Sequence, residues 1–341
     1  MNRFLLLTPK DKFAHFKITA ANLNISPELV EKDFWVCWIL NILFSLPGIG
    51  SHLTFKGGTS LSKCYDVIKR FSEDVDISIE RQFLSDSKSI EPDKGQSNTE
   101  NQKRLNQLQE LCKQKVDEDI LPGLRQAIIS ALPVAEKWDL KLDSKDPDGQ
   151  TILFVYPQVI ENNAESYVKS FVRLEFGARS DHWPVETLPI VPYISHFSKD
   201  LAIKEVLLRV LAAERTFWEK ATILHMIYHY PSGKNMSLRM SRHYYDIYAM
   251  ADSPIYQRAL NSISLLKHVA DHKALFFKAS WAHYEEATPS HLRIVPRKDQ
   301  INDLANDYRQ MRPMFFEEPP TFKQIIERLH GLEKEINRIK Q

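Results

Sequence analysis

Residues Phe55 to Ile79 read F-K-G-G-T-S-L-S-K-C-Y-D-V-I-K-R-F-S-E-D-V-D-I-S-I, and two features in them can do chemistry. Asp74 and Asp76 stand two positions apart in an alternating run with Val75, Ile77 and Ile79. On a strand, positions i and i+2 share a face, so both carboxylates point one way and the apolar side chains the other. Upstream, Gly57-Gly58-Thr59-Ser60 is a turn of small residues. Glycine lets backbone N–H groups approach an anion, because no Cβ intervenes. Thr59 and Ser60 add hydroxyl donors. The combination suits a divalent cation with a phosphate chain. Magnesium prefers hard oxygen ligands and takes one or two carboxylates plus substrate phosphates.

These groups need elements to position them. Leu53-Thr54-Phe55 predicts a first strand. A helix is expected from roughly Ser60 to Arg70, with Leu61, Cys64, Tyr65 and Ile68 on one apolar stripe. Thr59 or Ser60 would cap it, and its N-terminus would aim partial positive charge at the phosphates. The second strand then carries the aspartates. Lys56 and Lys63 flank the turn as further cations. Ser72 is either a phosphate contact or a plain turn serine.

Strand, Gly-Gly-Thr, helix, turn and Asp-x-Asp strand, in that order, resemble the nucleotidyltransferase superfamily typified by DNA polymerase beta. Within it, F-K-G-G-T-S-L-S-K followed by R-F-S-E-D-V-D-I is similar to the AbiEii/AbiGii toxin family. These are nucleotidyltransferase-like toxins of bacterial toxin–antitoxin and abortive-infection systems. The likeness is strongest over residues 26–80 and continues over 165–250. It implies an α+β fold: a small mixed β-sheet core with N-terminal helices and a mostly helical C-terminal portion. Residues 1–200 would form the catalytic domain, with a helical insertion at about 81–150. Residues 201–341 would complete a nucleotide cleft.

The resemblance also implies roles. Asp74 and Asp76 would be catalytic and hold Mg²⁺, or Mn²⁺ in its place. Lys56, Gly57, Gly58, Thr59, Ser60 and Ser72 would bind the nucleotide. The superfamily often places a third carboxylate on a later strand, and Leu174-Glu175-Phe176 fits that setting. The plainer reading of Glu175 is a strand glutamate paired with Arg173 or Arg179. Glu214 to Lys220, E-R-T-F-W-E-K, matches a family element that offers a basic residue to the triphosphate. Lys220 would serve, since a compact ammonium suits a point contact; a salt bridge to a nearby acid is the alternative. Arg242-His243-Tyr244-Tyr245-Asp246 resembles the family's R-H-x-x-D helix. Arg242 and Asp246 would meet the nucleotide, and the interleaved aromatics suit stacking. Alternatively, Arg242 and Asp246 pair with each other in a helix interface. Glu31-Lys32-Asp33-Phe34-Trp35 also matches a family element; taken plainly, it is a packing helix with solvated charges.

The activity implied is transfer of NMP from an NTP to an acceptor hydroxyl, on RNA and including tRNA 3′ ends, in a cytoplasmic toxin with a cognate antitoxin. Two rival readings stand beside it: a nucleotidyltransferase acting on a small molecule, and a nucleotide-binding regulator without catalysis.

The rest of the chain sets bounds. With 43% hydrophobic and 26% charged residues, the composition is that of a folded globular protein. No apolar run reaches the ~18 residues of a membrane span, so no membrane partner is expected. The opening MNRFLLLTPKDKF is too short in apolar residues for a signal peptide. Cys37, Cys64 and Cys112 are scattered and read as buried thiols. A net charge of +1 means that an RNA partner would need a local basic patch. Ser26-Pro27 begins a helix that Pro47-Gly48 ends. Residues 81–102 read as an exposed loop, 103–137 as helix interrupted at Pro122-Gly123, and Asp146-Pro147-Asp148-Gly149 as a turn. Val168 to Gly177 alternates like a strand, and Val185 to Tyr193 adds an edge strand. Helices are expected from Lys199 onward, ending in an amphipathic helix with Phe322, Ile325, Leu329, Leu332 and Ile336. His225 and His229, at i and i+4, read as structural.

Overall fold

The computed structural model describes residues 1–72, 74–85, 90–161, 169–234 and 236–339. Val168, at the head of the expected strand, lies outside them. The chain divides into two compact units. The first holds Met1–Cys64, Phe71–Glu91 and Gln102–Val210; the second holds Tyr65–Arg70, Pro92–Asn101 and Leu211–Gln341.

The first unit is built on a mixed seven-stranded sheet: β1 Leu53–Lys56, β2 Asp74–Ile79, β3 Asp139–Leu142, β4 Thr151–Val155, β5 Phe171–Gly177, β6 Val185–Ile190 and β7 Val206–Leu211. Their order is β3-β4-β5-β2-β1-β7-β6 among the described residues. β1 runs antiparallel to β2, while β5 runs parallel to β2 and β7 parallel to β1. The period-two pattern sorts the two faces. Val75 and Ile77 lie beside Leu174 and Phe176 on one face, all buried. The helix Pro27–Phe44 packs there: Trp38 stacks on Phe154 at 5.7 Å and Trp35 on Tyr156 at 5.8 Å. Each large side chain so buried contributes roughly 1.5–3 kcal/mol. The opposite face carries Asp74 and Asp76.

Two local expectations need correcting. The helix after the glycines is Gly57–Lys63, not Ser60–Arg70. It stops because Asp66 takes a left-handed conformation, φ 49°, and Arg70 is drawn into an ion pair in the second unit. Seven residues carry little macrodipole, so the backbone N–H groups themselves remain as anion donors. Neither Thr59 nor Ser60 caps this helix, because Lys56 holds the cap position. The second correction is Val206–Leu211, expected as helix but forming β7, with Val210 in register with Phe55.

The second unit is mostly helical. Its main helices are Ala213–Tyr228, Ser241–Ala251, Pro254–Asn261, Ser264–Phe276, Ile301–Gln310 and Phe322–Asn337. The last begins with a capping box, Thr321 and Gln324. Trp218, Tyr244, Leu266 and Ile325 lie in its core. No helix of the described residues is long and apolar enough to cross a membrane.

Candidate functional site

In the first unit the glycine turn and the Asp-x-Asp strand meet. β1 ends at Lys56, opposite Asp76, and the chain turns at Gly57 with φ 80°. A Cβ added at Gly57 would sit 1.9 Å from Asp76 Oδ2. Any side chain there would have to displace the Asp76 carboxylate, so glycine is favoured twice, by its backbone angle and by the carboxylate beside it. Thr59 Oγ1 donates to the Asp74 carbonyl and, at 3.4 Å, to the Ser72 carbonyl. Ser60 Oγ donates to the Gly57 carbonyl at 2.9 Å. Both hydroxyls thus brace the turn and tie it to the carboxylate strand. Ser72 contributes here through its carbonyl.

The register extends the row. Asp74 lies beside Arg173, and Asp76 beside Glu175. Asp74, Asp76, Arg173 and Glu175 are all half-buried. Glu175 Oε1 is 3.2 Å from Arg173, as its plainer reading predicts, and Arg173 also reaches Asp143 at 3.4 Å. Lys56 Nζ donates to Ser180 Oγ at 2.8 Å. Among the described residues, no three His, Cys, Asp or Glu side chains converge into a ready-made metal cage. The donor chemistry still fits a hard divalent cation: two carboxylates share a face, and one abuts a turn that presents backbone N–H groups. A Mg²⁺ site completed by substrate phosphates needs no more.

Glu31, Lys32 and Asp33 overturn the expectation of solvated charges. All three are at most 3% exposed. Successive residues on a helix diverge by about 100°, so each reaches a different element. Glu31 accepts from the N–H groups of Val159 at 2.6 Å and Ile160 at 3.2 Å. Lys32 lies over the Phe71 and Phe171 rings at 5.6 and 5.8 Å. Asp33 meets Lys63 at 2.6 Å and accepts from Tyr193 N at 2.7 Å. Lys63, expected to flank the turn as a cation, is instead committed inside the fold, where Asp33 holds it cationic against burial. It locks the helix that begins at Gly57.

In the second unit, Asp246 is fully buried and receives two cations. Arg70 forms a fork, Nε to Oδ1 and NH2 to Oδ2, each 2.8 Å. Lys220 Nζ reaches Oδ2 at 2.7 Å. Burial pushes the Asp246 carboxyl up, but Arg70 and Lys220 prevail and hold it well below the usual carboxylate range. Burial also lowers the Lys220 ammonium from its ordinary value, against the pull of Asp246. Lys220 therefore makes the salt bridge weighed as its alternative role, and the expected Arg242–Asp246 pair is replaced by partners that lie far away in sequence. Arg242 is half-buried beside this cluster. Tyr244 and Tyr245 do not offer stacking faces: they pack in the core on Phe322 at 5.9 Å and Phe315 at 4.8 Å. Arg70 opens the R-F-S-E-D-V-D-I run that resembles the family, but no role was expected of it, and its partner Asp246 lies 176 positions away.

His225 is structural, as expected. It bonds the His283 carbonyl at 3.0 Å and accepts from Arg293 N at 3.1 Å. Among the described residues all three cysteines are free thiols; burial pushes Cys64 and Cys112 up to about 12.

The family model described as "Nucleotidyl transferase AbiEii toxin, Type IV TA system" matches residues 38–328. No curated protein matches the chain. Among solved structures the chain is similar to MenT4, a nucleotidyltransferase toxin from Mycobacterium tuberculosis H37Rv. The identity is 14% and the TM-score 0.37, covering 87% of this chain and 98% of that one. The family match spans both the Asp74/Asp76 strand and the Lys220/Asp246 cluster, and the chain belongs to the AbiEii family of nucleotidyltransferase toxins.

Proposed function

We propose that the chain transfers a nucleoside monophosphate from an NTP to an acceptor hydroxyl on RNA, tRNA 3′ ends included. The observation that supports this most is the contact between Gly57 and Asp76, where an anion-binding turn and a carboxylate pair share one spot. Asp74 and Asp76 would hold Mg²⁺, or Mn²⁺ in its place. Glu175 joins them by exchanging Arg173 for the cation. The ion supplies positive charge to the reacting phosphates.

The chain's own groups do the rest. Backbone N–H groups of the Gly57–Ser60 turn and the Lys56 ammonium bind the triphosphate. In the second unit, Asp246 keeps Lys220 in place beside Arg242. Arg70, Lys220 and Arg242 outnumber the single carboxylate, so their cluster keeps a net attraction for phosphate. The acceptor oxygen attacks the α-phosphate, the α–β bond breaks, and pyrophosphate leaves. Fixed donors stabilise the charge that develops. The reaction belongs in the cytoplasm, where NTPs and RNA are, and a cognate antitoxin is the partner that the family implies.

The test is incubation with each α-³²P-labelled NTP, Mg²⁺ and total bacterial RNA, beside an Asp74→Ala/Asp76→Ala control. Label on RNA that vanishes in the control supports the reading and identifies the nucleotide. Label on a small molecule alone would replace RNA as acceptor. Nucleotide binding with no transfer to any acceptor would leave a regulator.

A further inference from the structure

We infer that a cavity of the second unit, formed by the helix Ile301–Gln310 and the segment that leads into the helix Phe322–Asn337, binds a small aromatic anion. The site lies wholly within that unit and shares no residue with the carboxylate strand. Its volume of about 420 Å³ falls within the roughly 300–1,000 Å³ of small-ligand sites. Its lining is aromatic: the Tyr308 ring lies 5.6 Å from both Phe315 and Phe322. Pro319, Pro320 and Ala305 complete the apolar part. The rings are held from behind. Tyr308 Oη donates to the Pro320 carbonyl at 3.0 Å, which ties the helix to the proline segment. Phe315 forms an antiparallel bridge with Arg70, its ring packs on Tyr245 at 4.8 Å, and Phe316 N donates to the Lys69 carbonyl at 3.1 Å. The Thr321/Gln324 capping box fixes the turn into the last helix. Rings so braced keep their spacing, and binding between them costs little ordering.

The charge at the rim gives the ligand its sign. Arg309 and Arg312 line the cavity together with Glu318. Arg312 pairs with Glu318, and both are exposed. Arg309, also exposed, has no carboxylate partner among the described residues; its guanidinium meets the neutral side chain of Asn306. Two cations against one carboxylate leave a single net positive charge beside an apolar pocket. A neutral ligand would leave Arg309 without a counter-charge, and a polyanion would be repelled by Glu318. A ring system that carries one carboxylate or sulfonate satisfies both parts of the site. Its rings pack edge or face against Tyr308, Phe315 and Phe322, and its anion meets the planar guanidinium of Arg309.

The test titrates the full chain with two fluorescent probes: anilinonaphthalene sulfonate, an aromatic anion, and phenylnaphthylamine, its uncharged parent. Melting curves check that each variant is folded. The parent chain should bind the sulfonate at one saturable site. Ala305→Trp fills the cavity from the half-buried helix face and should weaken both probes by about tenfold or more. Arg309→Glu removes one attraction and adds a repulsion. It should weaken the sulfonate by about fivefold and leave phenylnaphthylamine within about twofold. A parent that binds no sulfonate, or a folded Ala305→Trp that binds it as the parent does, would overturn the inference. Equal losses of both probes in a folded Arg309→Glu would overturn the assignment of an anion. Should Ala305→Trp fail to fold, Arg309→Glu decides alone, and a sulfonate affinity equal to that of the parent would overturn the inference.

Discussion

Asp76 and Asp246 are both carboxylates of motifs that resemble the family's, yet their surroundings oppose each other. Asp76 is half-buried on an open sheet face, beside a glycine whose missing Cβ makes its room. Asp246 is fully buried, and Arg70 and Lys220 occupy its oxygens. A carboxylate that keeps a share of solvent can bind a ligand cation. One that is saturated by two protein cations instead organises those cations. The family match spans both residues, and the structure separates their surroundings: the first lies half-buried beside the glycine turn, the second fixes the positions of Lys220 and Arg70.

That contrast can be broken in several ways. Asp246→Ala leaves two buried cations without their counter-charge. Stability should drop by about 3–5 kcal/mol, read from the urea midpoint; a variant as stable as the parent would erase the contrast. Asp74→Asn and Asp76→Asn should do the reverse. They should leave the urea midpoint nearly unmoved and cut nucleotide transfer at least ~10²-fold.

Glu31 offers a pH test. Burial raises its pKa from 4.5 to about 7, despite N–H donation from Val159 and Ile160. Between those values the folded chain holds a proton that the unfolded chain has released, so stability falls as pH rises. Glu31→Gln cannot titrate. Its stability relative to the parent should therefore improve by roughly 2–3 kcal/mol from pH 4.5 to 7. Parallel curves for the two proteins would refute this. Gly57→Ala forces a Cβ towards Asp76 at a left-handed backbone angle and should cost roughly 1–3 kcal/mol, with a measurable loss of transfer. Lys323→Ala, at a pair exposed on both sides, should change the midpoint by less than about 0.5 kcal/mol and serves as the control.

Much of the first unit was legible because its signals are local. Asp74 to Ile79 alternates, so a strand with both carboxylates on one face follows from period alone. Ser26-Pro27 starts the helix Pro27–Phe44 in the expected manner, with Ser26 Oγ accepting from Leu29 N. What escaped was set by distant partners. V-L-L-R-V-L at Val206–Leu211 reads equally as helix or strand, and only parallel pairing to β1 decides it. Glu31 and Asp33 looked solvated because the groups that bury them lie 128 and 160 positions away. Lys220 was recognisable as a motif lysine, but its partner depends on Asp246, which Arg70 reaches across 176 positions. Charge spacing shows which residues belong together on one element. It does not show which charges the fold will spend on one another.

A divalent ion held by Asp74 and Asp76 at the glycine turn is central to the proposed reaction. Crystals grown with Mn²⁺ and a non-hydrolysable NTP would settle it through the anomalous signal of manganese. The expected peak lies at the oxygen-ligand distance of a hard divalent ion, ~2.0–2.2 Å, from both carboxylates, with triphosphate oxygens completing the shell. Bound nucleotide with manganese away from both aspartates would contradict it.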